Sequence, residues 1–324
     1  MENRSEQARA ADARKAPERE AWPHPDTAAA DTAPGCVPAA GGEGKSNGRF
    51  PAPVDLLVFF GIFLLAQGVG VLAALLCGSP WPDSSALFSA DETVRYAAER
   101  ATARFNAVSY FVAMSLTLLG FLYYRRRRRG PRIVARFSVK GFDPLLLLWG
   151  VLFMTATSVV LEPLLAWLPD VPPVYGRGGW AVATLVAMAP LFEETLFRGV
   201  LLESVRVRYG VMAAWIVSSL AFGIVHMHPT VMVNAFVIGL ILGFVYLKAS
   251  SLWPAIFLHA VNNGIAYLTL VAGRGNTLLI ELVGDRTLYV TIYIAALAVF
   301  AVSGYMTWRM LVRLKAGAEK GAAA

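Results

Sequence analysis

Runs of about twenty apolar residues, separated by short charged links, recur along this chain between residues 54 and 311. A bilayer core takes about 20 such residues per helix, and a backbone in lipid must satisfy its own hydrogen bonds. Each run is therefore expected to be a membrane-spanning helix. The runs are Val54–Cys77, Ala107–Tyr124, Leu145–Leu168, Trp180–Leu202, Met212–His226, Val231–Leu247, Leu252–Val271 and Leu288–Leu311. The expected fold is all-α, a polytopic membrane helix bundle of about eight transmembrane helices. Composition agrees: 16% of residues are charged, against roughly 25% in soluble domains.

Around these runs the chain divides into three parts. Residues 1–50 are Ala, Pro, Asp, Glu, Arg and Gly without apolar periodicity, so a disordered cytoplasmic tail is expected there. The tail lacks the basic, apolar and small-residue layout of a signal peptide, so no cleavage is expected. Residues 51–315 form the membrane domain, and 316–324 a short C-terminal tail. The link 78–106 carries mixed charge (Asp83, Asp91, Glu92, Arg95, Arg100) and is expected to hold an amphipathic helix.

Orientation follows from lysine and arginine at the span ends. Arg125–Arg129, Arg132, Arg136 and Lys140 follow the second run, Arg206 and Arg208 the fourth, and Lys248 the sixth. Arg309, Arg313, Lys315 and Lys320 close the eighth. All fall on one side if both termini are cytoplasmic. The net charge of +7 thus reads as topology, with the lipid bilayer as partner and no nucleic acid. Cys36 and Cys77 imply no disulfide framework. The Ala- and Arg-rich composition points to a high-GC bacterium and hence to an inner, cytoplasmic membrane. Oligomeric state is not legible.

Three polar clusters interrupt the apolar runs. The first is Glu193-Glu194-Thr195-Leu196-Phe197-Arg198. An ionisable group at mid-helix costs roughly 2.5–3.5 kcal/mol on insertion scales, so its default reading is functional. Glu194 and Arg198 are i,i+4 neighbours and can pair, while Glu193 points about 100° away. The second cluster is His226, one turn after Phe222 and close to His228 at the membrane boundary, which is read as structural. The third is His259 with Asn263. Imidazole nitrogens and a carboxylate are the donors of a catalytic zinc, so His226, His259 and Glu193 are candidate ligands. Without a metal, Glu193 could act as general base on a water, and Asn263 could donate to an oxyanion. Each cluster alone has a structural reading as interhelical hydrogen bonding. All three on neighbouring helices favour a site, with side-chain tips expected to converge.

Glu-Glu-x-x-x-Arg at 193–198, Phe-x-x-x-His at 222–226 and His-Ala-x-x-Asn at 259–263 resemble the signature of the CPBP intramembrane proteases. That family includes the CAAX prenyl endopeptidases and the proteins once called Abi. The resemblance covers about residues 180–272. It implies an intramembrane metalloendopeptidase hydrolysing a peptide bond in a membrane-associated protein or peptide. Glu193, His226, His259 and Asn263 would be catalytic; Glu194, Arg198 and Phe222 would support them. A divalent metal, zinc, is the implied cofactor.

One feature sits awkwardly with straight helices. His226 ends its run, which would leave it on the order of 10–15 Å nearer the outer surface than Glu193. Two other readings remain: a transporter or proton-coupled carrier, whose intramembrane charges mark an ion path, and a catalytically silent scaffold. The carrier lacks an internal repeat, and a silent scaffold would not need all four polar residues.

Overall fold

The computed structural model describes residues 50–131, 137–139, 142–169, 175–273 and 277–322, with side chains as far as Arg313. The expected tail lies outside the described residues except for Phe50, which is buried in the core. Among the described residues there is no strand. The main helices are α1 Pro53–Leu76, α2 Glu92–Arg127, α3 Pro144–Leu165, α4 over residues 179–209 and α5 over residues 211–224. They continue with α6 Pro229–Ala249, α7 Leu252–Val271 and α8 Arg286–Ala322.

Among the described residues seven helices are long and apolar enough to cross a membrane, with Gly179–Ile224 taken as one run of 46 residues. Gly210 divides that run. Its φ of 80° and ψ of 175° lie outside helical space and suit a residue without a Cβ, so the two arms are separate helices.

Two boundaries differ from the expected ones. α2 begins at Glu92 rather than Ala107, because the Asp91 carboxylate caps it by accepting from the Thr93 N–H at 2.8 Å. The charged half of the 78–106 link is thus the first part of a 36-residue helix, not an amphipathic helix of its own. Only Ser84–Leu87 forms a separate helical turn in that link. α8 runs as helix to Ala322, through most of the expected C-terminal tail.

Packing gathers the helices around two apolar clusters. One joins α1, α2, α4 and α5 through Phe59, Phe121, Phe197, Leu201 and Phe222. The other joins α3, α6, α7 and α8 through Leu147, Met154, Ile241, Leu258 and Leu311. Polar ties fix the arginine-rich ends together. Asp55 at the start of α1 accepts from Tyr124 Oη at 2.6 Å and from Arg128 Nε at 3.0 Å. Arg208 reaches the Pro51 carbonyl at 3.2 Å, and Glu203 binds Tyr246 Oη and Arg206 Nη2, each at 2.8 Å.

α5 and α6 approach on glycines. Gly239 and Gly243 form a small-residue seam on α6, a pattern that lets membrane helices touch backbone to backbone. A Cβ on Gly223 would stand 2.8 Å from the Met232 carbonyl oxygen and 3.1 Å from Phe236 Cβ. Gly223→Ala should therefore lower thermal stability in detergent by about 1–3 kcal/mol, the usual cost of overpacking. Gly68→Ala on α1, where nothing lies within 4 Å, should leave the melt unchanged or raised.

Candidate active site

Pro190 shapes the helix that carries both glutamates. It has no N–H, and the chain around it departs from α-helical spacing in two π-helical stretches, Ala183–Met188 and Thr195–Leu202. The Ala189 N–H bonds back five residues to the Thr184 carbonyl. Leu185 O thereby loses its α-helical partner, and the residue five positions on is Pro190. Asn263 on α7 satisfies it, donating from Nδ2 at 3.0 Å. Proline in a spanning helix is tolerated through such side-chain repair from a neighbouring helix.

The six-residue helical stretch Ala189–Glu194 presents the two carboxylates on different sides. Glu194 is completely buried. Its Oε1 accepts from Arg198 Nη1 at 3.0 Å and from His259 Nδ1 at 2.9 Å. A carboxylate can only accept, so Nδ1 of His259 carries a hydrogen, and in the neutral ring Nε2 is then the acceptor. Arg198, also completely buried, donates its Nη2 to the Gly239 carbonyl at 3.0 Å and lies 4.5 Å above the Phe222 ring. A Cβ on Gly239 would stand 3.2 Å from Phe222 Cδ1 and 3.3 Å from Ser219, so glycine there admits the ring on which the guanidinium lies. The pair thus braces α4, α6 and α7 at one point.

Glu193 is partly exposed. Its Oε1 accepts from Tyr110 Oη on α2 at 2.7 Å, and its Oε2 stands 3.7 Å from His259 Nε2. Two acceptors at that separation can be bridged by one water, which donates a hydrogen to each and keeps its lone pairs free. Tyr110 was not singled out by the sequence. A tyrosine inside an apolar run whose hydroxyl needs a partner is a weak signal of this contact.

His226 lies two residues beyond the end of α5. Its Nδ1 contacts the Phe222 carbonyl oxygen at 2.7 Å, which puts the hydrogen on Nδ1. The Phe222 ring touches both histidines edge-on, with centroids 5.0 Å from His226 and 5.6 Å from His259. The depth difficulty disappears once the helices are counted from Gly210. Glu193 lies 17 residues before that turn and His226 16 residues after it, about 25 and 24 Å at 1.5 Å per residue. The arm 211–224 is too short to carry His226 to the far surface.

Zinc requires three protein donors around one point. Among the described residues no group of three or more His, Cys, Asp or Glu side chains is placed to hold a metal ion. Glu193 and His259 supply two donors, and His226 shares with His259 only a contact to the Phe222 ring. The described donors at this point fall one short of the three that catalytic zinc takes.

Residues 177–265 match the family model described as Type II CAAX prenyl endopeptidase Rce1-like. Neither the curated proteins nor the solved structures contain a match to the chain.

Proposed function

We propose, from the likeness of residues 177–265 to the Rce1-like CAAX endopeptidases, that this integral membrane protein hydrolyses a peptide bond with a water activated by Glu193. That likeness implies an intramembrane endopeptidase of the CAAX type. The observation that carries the finer reading is the pair Glu193 Oε2 and His259 Nε2, 3.7 Å apart, with Glu193 Oε1 held by Tyr110 Oη and His259 Nδ1 held by Glu194.

In this reading the water sits between those two acceptors. Glu193 removes its proton as the oxygen attacks the scissile carbonyl carbon, and returns that proton to the departing amine. Glu194 fixes the tautomer and ring orientation of His259, much as a buried carboxylate orients a catalytic imidazole. Asn263 spends one amide hydrogen on Leu185 and keeps the second for the oxyanion; His226 lines the same pocket. The substrate is a membrane-associated polypeptide, and the bacterial inner membrane is the proposed location.

Two results test this. Glu193→Gln should co-purify with uncut polypeptide that the parent releases, identified by mass spectrometry. Capture of the same polypeptides by both proteins would count against it. Dialysis against EDTA should leave cleavage unchanged within about twofold; a loss restored by zinc would reinstate a metal site made on substrate binding.

A further inference from the structure

The two oxygens of a glutamate carboxylate are chemically equal until something holds one of them, and the torsion that turns them is broad and roughly two-fold. A base that must collect a proton at one point and return it at another needs that symmetry broken. At Glu193 a different helix breaks it. Tyr110 on α2 donates its single phenolic hydrogen to Glu193 Oε1 at 2.7 Å. Oε2 is then the oxygen turned to His259 Nε2, at 3.7 Å. The neighbouring Glu194 has a separate set of holders, Arg198 and His259 Nδ1. Each carboxylate is thus held by groups of its own.

The hydroxyl is not what seats α2 against its neighbours. Ring contacts do that. Beside Tyr110, Phe111 meets Phe192 of α4 edge-on with centroids 5.8 Å apart, and further along Phe121 meets Phe59 of α1 at 4.7 Å. The Tyr110 ring packs, partly buried, against the apolar cluster of α1, α2, α4 and α5. Phenylalanine would fill the same space, so packing accounts for the ring and leaves the oxygen unexplained. A tyrosine in an apolar setting places its hydroxyl on a partner, and here the partner is the carboxylate on which the proposed reaction depends.

We infer that Tyr110 is the positioning residue of Glu193 and selects Oε2 as the oxygen that handles the proton. This role rests on the endopeptidase reading above; the contact does not. An oxygen that already accepts from a phenol is the weaker base of the two, so the proton leaving water goes to Oε2. As the water oxygen bonds to the scissile carbon, one of its O–H bonds breaks and that hydrogen is held on Oε2. When the C–N bond breaks, the hydrogen passes from Oε2 to the departing nitrogen, and the carboxylate is left as it began. The second hydrogen of the water stays on the oxygen now carried by the new carboxyl group. Tyr110 acts only through Glu193 and keeps its own hydrogen throughout.

The test is Tyr110→Phe in the full chain, which removes the hydroxyl and leaves the ring. With the polypeptide that Glu193→Gln captures, kcat should fall roughly 10–100-fold, the scale of one hydrogen bond to a charged group, while KM stays within about twofold and the melt is retained. An unchanged kcat, or a fall that accompanies a lowered melt, overturns the role. A fluorinated tyrosine at position 110, a donor of nearly the same size, should bring kcat back to within about threefold of the parent. A loss as deep as that of Tyr110→Phe overturns the role as well. A second readout needs no cleavage. The infrared carboxylate bands of Glu193, isolated by subtracting the spectrum of Glu193→Gln, should move to higher wavenumber in Tyr110→Phe. They should move to lower wavenumber with the more acidic fluorinated phenol, which carries this readout if Tyr110→Phe fails to accumulate. Bands that stay at the parent's positions remove the contact, and the inference with it. Bands that shift in a chain that cuts no peptide would instead fault the endopeptidase reading.

Discussion

Glu193→Gln is expected to abolish cleavage while the protein accumulates in the membrane and melts within about 1 kcal/mol of the parent. The substitution keeps the side chain's shape and its ability to accept from Tyr110 Oη, now 2.7 Å from Glu193 Oε1. It removes the group that takes the proton. General acid–base groups contribute typically 10²–10⁴-fold, and a residue that both takes and returns a proton should sit at the top of that range or above it. Glu193 is also the more exposed of the two carboxylates, so its loss leaves no buried cation behind. A cleavage assay paired with a thermal melt in detergent reads both halves of this expectation.

The adjacent residue should behave in the opposite way. Arg198 and Glu194 are both wholly buried and bonded at 3.0 Å. Breaking one member of a buried pair leaves an uncompensated charge and costs about 3–5 kcal/mol. Arg198→Ala removes further contacts, those to the Gly239 carbonyl and the Phe222 ring. Both Arg198→Ala and Glu194→Gln are therefore expected to lose yield and melting temperature first, with activity falling as a consequence. Glu194→Gln carries an added effect, since His259 Nδ1 loses its carboxylate at 2.9 Å and with it the fixed tautomer. Should Glu193→Gln unfold while Glu194→Gln stays folded and inactive, the two roles are reversed.

The sequence exposed the parts of this architecture that lipid makes costly. A glutamate and an arginine four apart in an apolar run have to find each other, and the Glu194–Arg198 bond follows that rule. The all-helical type followed from run length alone. What could not be read was depth. The position of His226 depends on where the chain turns, and one glycine, Gly210, sets that turn eight residues later than the fourth run appeared to end at Leu202. The contacts of His259 with Glu194 and of Asn263 with Leu185 were equally hidden. They depend on a helix distorted around Pro190 and on the packing of α7 against it, which no local pattern encodes. Tyr110 lies 83 residues before the glutamate it binds, and nothing near it in the chain distinguishes it from its aromatic neighbours.

The claim that Glu193 drives peptide hydrolysis inside the bilayer is tested most directly by reconstitution. The purified chain is placed in lipid vesicles with the polypeptide that Glu193→Gln captures, in EDTA, and new termini are read by mass spectrometry over time. The parent should cut at one position within or beside a membrane segment, and Glu193→Gln should produce none of that product. Equal cutting by the two proteins, or none by either, would contradict the account.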